Sequence, residues 1–85
     1  MNQVYMLMVN AVSGANDTTF IELYATKELG DKYFDERVDS AENELGYVDV
    51  ADVDDPQPSD KPRYARLSNE EMTIDISLQP REVIG

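Results

Sequence analysis

Carboxylates are the only abundant reactive groups in this sequence, and many of them fall in one stretch. Between Val38 and Asp60 stand Asp39, Glu42, Glu44, Asp49, Asp52, Asp54, Asp55 and Asp60, with no Lys or Arg among them. Carboxylates can serve as an acid–base pair, as ligands of a hard cation, or as fixed negative charge that attracts a basic partner. A glycosidase-like pair needs concave walls to hold a sugar, and an 85-residue chain is too short for a deep enclosed site. Calcium loops space their oxygens as in D-x-[DN]-x-[DN]-G with a closing Glu. Asp49, Asp52, Asp54 and Asp55 lack that spacing and have no glycine among them. Weak adventitious cation binding is expected there, and a dedicated metal site is not.

The rest of the composition narrows the chemistry further. The chain has no His and no Cys, which removes imidazole acid–base chemistry, thiol nucleophiles, disulfides and the usual zinc ligands together. Lys27, Lys32 and Lys61 fall in exposed-looking positions, and the glycines are isolated, so no phosphate-cradling loop is present. A non-enzymatic protein without a cofactor is expected. Eighteen acids against seven bases give a net charge of −11, which argues against direct contact with nucleic acid or an anionic membrane. No apolar run approaches the roughly 20 residues of a membrane span, and no basic leader precedes the first apolar segment. A soluble cytoplasmic protein is the expectation.

The elements that must position these acids can be read in order. Val4 to Ala11 is an apolar run with Val4, Met6 and Met8 on one side and Tyr5, Leu7 and Val9 on the other, the mark of a strand covered on both faces. Ser13-Gly14-Ala15-Asn16-Asp17 is turn chemistry, with Gly and Asn able to take positive φ, and Thr18 to Ala25 is rich in β-branched and aromatic residues. The two runs predict an antiparallel hairpin. Thr26 suits an N-cap. Tyr33, Phe34, Val38, Ala41 and Leu45 fall within one helical arc of about 140°, and Gly46 is placed to end the helix. Val48 and Val50 of a short strand over Tyr47–Val53 are expected to point one way and Asp49 the other. Residues 54–62 hold three prolines and form a surface loop. Arg63 to Leu67 and Met72 to Leu78 complete a closing hairpin, with Met72, Ile74, Ile76 and Leu78 inward and Pro80 ending the last strand.

These elements predict a single α+β domain, an antiparallel sheet of about 4–5 strands with one amphipathic helix on one face, in the order β-β-α-(β)-β-β. One helix covers one face. The second apolar set of the first strand, with Phe20 or Tyr24, is therefore expected to be half exposed or covered by a partner, and a homodimer through that face is one way to cover it.

Opposite the apolar helical stripe lie Glu28, Asp31, Asp35, Asp39 and Glu42, within an arc of about 80°. Ordinary solvated helix faces mix Glu with Lys at i, i+4, whereas Asp31 with Asp35, and Asp35 with Asp39, place like charges there at a cost of a few tenths of a kcal/mol per pair. Asp31 to Glu42 spans about 16 Å at 1.5 Å per residue, comparable with about five base-pair steps of 3.4 Å. The expected partner-binding residues are Asp31, Asp35, Asp39 and Glu42 on the helix and Asp49, Asp52, Asp54 and Asp55 beyond it. Arg63 and Arg66, which bracket Tyr64, are expected to neutralise neighbouring acids within the molecule.

In size, charge and the acid pattern from Asp31 to Asp60, the chain resembles the small phage-encoded inhibitors of host defence, including anti-CRISPR and anti-restriction nucleic-acid mimics. The resemblance implies a mode of action: occupying the basic nucleic-acid-binding surface of a host effector, in the host cytoplasm. Two other readings remain open from the residues, a small acidic structural or adaptor module that forms homodimers, and a weak calcium-binding domain.

Overall fold

The alternation of Ile74, Ile76 and Leu78 fixes the central strand of the fold. In the computed structural model, which describes residues 2–83, all three are buried in a strand that runs between two neighbours. The elements are β1 (Asn2–Ser13), β2 (Asn16–Tyr24), α1 (Lys27–Leu45), β3 (Val50–Val53), β4 (Arg63–Ser68) and β5 (Thr73–Val83). They form one five-stranded antiparallel sheet in the order β2-β1-β5-β4-β3, with α1 lying on one face. This is the expected α+β architecture.

Local chemistry explains the joints. β1 and β2 are joined by Gly14-Ala15 alone, with Ser13 opposite Asn16. Gly14 has φ +61° and no other residue of the turn has positive φ, the backbone pattern of a type II′ hairpin. Asn16 was an expected site of positive φ, but the two-residue turn places it in the strand instead. The Thr26 hydroxyl accepts a hydrogen bond from the Leu29 N–H at 3.2 Å and so caps α1. Gly46, at φ +78°, donates its N–H to the Glu42 carbonyl and ends the helix.

The core lies between α1 and β1, β4 and β5. Phe34, Leu7, Leu67 and Ile76 are sealed from solvent, and Tyr5, Val38, Ala41, Leu45, Ala65, Ile74 and Leu78 complete the cluster. Tyr33 packs against its edge, its ring stacked on Tyr24 at 4.8 Å. Gly30 also faces the sheet: a Cβ there would meet Leu78 Cδ1 at 2.9 Å and Tyr5 Cβ at 3.3 Å. Its missing side chain lets the first turns of α1 close on β1 and β5. Ile74→Val, which removes one methylene from this core, should cost about 0.5–1.5 kcal/mol. Urea unfolding checks this, and an unchanged midpoint would place Ile74 outside the core.

Three expectations need correction. β5 does not stop at Pro80 but pairs with β1 through Val83, with Tyr5 opposite Pro80. Since β4 begins at Arg63, opposite Leu78, the donor that Pro80 lacks would have pointed past the end of β4, and no ladder bond is lost. Val48 and Val50 do not share a direction: Val48 packs against the core while Val50 is exposed in β3 opposite Ser68. The β2 residues on the uncovered sheet face are Ile21 and Leu23, not Phe20 or Tyr24. The register pairs Ile21 with Met8 and Leu23 with Met6, so Phe20 and Tyr24 turn toward the helix, half-buried. Among the described residues, no helix is long and apolar enough to cross a membrane.

Candidate binding surface

The acids can be sorted by what each one touches. Arg63 decides the N-terminal half of the helical row. β4 presents it to the helix side, where it is 4% exposed and its guanidinium lies 4.1 Å from the Phe34 ring centroid. It donates Nη1 to Asp31 at 3.2 Å, Nη2 to Asp35 at 2.9 Å and Nε to the Asp54 carbonyl at 3.0 Å. Lys27 also pairs with Asp31, one helical turn away. Asp31 and Asp35 are therefore bridged by a cation from β4, and the like-charge strain read from their spacing is relieved. Neither is a free member of an acid row. This corrects the expectation that the face is uncompensated, and it fits the expected role of the arginines as internal neutralisers.

Arg66 acts similarly on the opposite face. Its Nε donates to Asp75 at 2.7 Å, and that hydrogen bond raises the arginine further above its ordinary range. Asp52 stands across from Arg66 in the β3–β4 ladder. Asp54 accepts the Tyr64 N–H at 3.0 Å through its carboxylate, which staples the start of the proline-rich loop to β4. Asp52 and Asp54 line a shallow concavity of about 400 Å³ on the uncovered face, with Tyr64, Arg66, Asp75 and Ser77. The sheet thus separates them from Asp31, Asp35, Asp39 and Glu42. The eight expected residues do not form one surface.

Several of the acids left unpaired lie toward the C-terminal end of α1. Asp39, Glu42, Glu44 and Asp49 are exposed, and none takes part in an ion pair among the described residues. The last helical turn carries no base. The turn between β4 and β5 closes over this end: Asn69 Nδ2 donates to the Leu45 carbonyl at 2.9 Å and the Tyr47 carbonyl at 3.2 Å. The Asp49 N–H donates to the Ser68 carbonyl at 2.8 Å. These bonds bring Glu70 and Glu71, both exposed and in no ion pair among the described residues, to the same pole as Glu42, Glu44 and Asp49. Glu70 and Glu71 lie in the turn of the closing hairpin, outside the acid-rich stretch from Val38 to Asp60. The available signal was Asn69, whose side chain caps the Glu71 and Met72 N–H groups while its amide reaches back to the helix. Asp55 lies apart, exposed in the loop after β3.

Glu22, on β2, is the acid whose own chemistry is most altered. A 2.7 Å hydrogen bond from Arg37 holds its carboxyl below the usual range, and Arg37 also covers the Phe20 ring at 4.3 Å. Burial pushes the neighbouring Tyr24 hydroxyl up. Among the described residues, no three acids converge closely enough to hold a metal ion. In comparisons with known protein families, characterised proteins and solved structures, nothing matches this chain.

Proposed function

We propose that this protein is a non-enzymatic inhibitor that presents its acidic pole to the basic nucleic-acid-binding site of another protein, as the phage-encoded mimics of nucleic acid do. The observation that supports it most is the pole itself. Glu42 and Glu44 sit where the helix macrodipole is already negative, a placement that costs about 0.3–1 kcal/mol per charge at low ionic strength. Glu70, Glu71 and Asp49 are brought to the same end, and among the described residues none of the five is in an ion pair. A surface under no pressure to be acidic would place Lys or Arg in that last turn.

The expected partner is a nucleic-acid-binding effector in the same cytoplasm, a host defence protein if the chain is phage-encoded. Direct binding to nucleic acid runs against the net charge of −11. The test is affinity capture from a host lysate on the immobilised protein. The captured effector should be released by raised salt, which screens charge beyond about 8–10 Å, and by added DNA or RNA. Retention that ignores both would contradict the proposal.

A further inference from the structure

The acids are not spread evenly over the sheet. Before Lys27 the only ones are Asp17 and Glu22, and Glu22 is already neutralised by Arg37. The helix adds Glu44, which lines a pocket with Phe20 and Arg37, so β2 and its surroundings carry only a small share of the net charge of −11. β2 is also an open edge of the sheet. It holds nine residues in unbroken register with β1; its charges are Asp17 and Glu22, and it has no Lys, Arg, Pro or bulge to protect the edge from pairing.

The hairpin identifies which edge groups are free. A two-residue hairpin closes on a hydrogen-bonded pair, here Ser13 and Asn16, and such pairs alternate along the ladder. Asn16, Thr18, Phe20, Glu22 and Tyr24 therefore spend their backbone groups on β1. Asp17, Thr19, Ile21 and Leu23 direct theirs outward. Ile21 and Leu23 are also 54% and 64% exposed, beside Met8 and Met6 on the uncovered face.

We infer that β2 is the homodimer interface of this protein: a second copy adds its own β2 antiparallel to this one, giving a continuous ten-stranded sheet with an acidic pole at each end. A register centred on Phe20 sets Thr19 against Ile21 and Asp17 against Leu23 of the second copy, and every outward N–H and C=O finds a partner. On the uncovered face Ile21 of one copy then lies diagonal to Ile21 of the other, while each Leu23 lies opposite Asp17. Charge selects the occupant. Two chains of −11 repel wherever their acids meet, so the sparsely charged β2 edge is where they approach at least cost, whereas a basic partner is drawn to the pole. The dimer does not depend on what the pole binds.

The two contacts have opposite salt dependence, which makes the test selective. Sedimentation equilibrium should show twice the monomer mass, with the dimer Kd falling several-fold from low to high salt as repulsion is screened. Ile21→Lys, a change at an exposed position, should keep the wild-type circular dichroism spectrum and sediment as a monomer. Tyr64→Ala, at the far side of the same face, should dimerise as the wild type does. In hydrogen exchange, the amides of Asp17, Thr19, Ile21 and Leu23 should be protected in the wild type and exposed in Ile21→Lys. A monomer at every salt concentration would overturn the inference. So would a dimer that survives Ile21→Lys, or one lost in Tyr64→Ala, which would move the contact from the edge to the face.

Discussion

Replacing Arg63 with alanine should lower the unfolding free energy by about 1.5–3 kcal/mol, the scale of hydrogen bonds to charged groups, because the acids left behind, Asp31 and Asp35, keep contact with solvent. The side chain is 5% exposed and serves three acceptors at once: Asp31, Asp35 and the Asp54 carbonyl. Its removal also uncovers the Phe34 ring, the largest side chain of the sealed core. The helix then regains the Asp31–Asp35 repulsion, and the loop after β3 loses an anchor. Arg63→Lys should recover only part of the loss, because one ammonium cannot span a fork of three acceptors. A domain of this size has about 5–15 kcal/mol to lose, so the effect is a large share of the total. Urea unfolding measures it as a lowered midpoint at constant m-value. A loss below about 1 kcal/mol would mean that Arg63 behaves as an ordinary surface pair.

The same residue shows what sequence periodicity could and could not reveal. Ile74, Ile76 and Leu78 alternate, and Phe34, Val38, Ala41 and Leu45 recur at helical spacing, so the core faces of β5 and α1 were legible from local pattern alone. Thr26 and Gly46 were legible because capping is a property of a few adjacent residues. The pairing of Arg63 with Asp31 and Asp35 crosses 32 and 28 residues, and counting charges within a stretch cannot see a cation supplied by another strand. For the same reason local pattern does not place Glu70 and Glu71 near Glu42, since it is the bonds of Asn69 to Leu45 and Tyr47 and of Asp49 to Ser68 that carry them there. The exposure of Ile21 and Leu23 depends on a turn of just two residues: a one-residue change of register would have turned them inward.

The charges of the pole can be removed without disturbing any hydrogen bond or ion pair the fold uses among the described residues. Glu42→Gln, Glu44→Gln, Asp49→Asn, Glu70→Gln and Glu71→Gln change exposed side chains that make no ion pair among the described residues. Asp31, Asp35 and Asp54 are left alone because they hold Arg63 and Tyr64 in place. The combined variant should be at least as stable as the wild type, since negative charge at a helix C-terminus is unfavourable. Its affinity for the captured effector at low salt should nevertheless fall by about tenfold or more, equal to about 1.4 kcal/mol or more of binding free energy. Most of the difference should vanish at high salt.

The most direct measurement is a competition in which labelled DNA or RNA is first bound to that effector and the protein is then titrated in. Wild type should displace the nucleic acid, and the neutralised variant should do so only at concentrations about tenfold higher or more. If the variant displaces it as well as wild type does across salt concentrations, the acidic pole is not the binding surface.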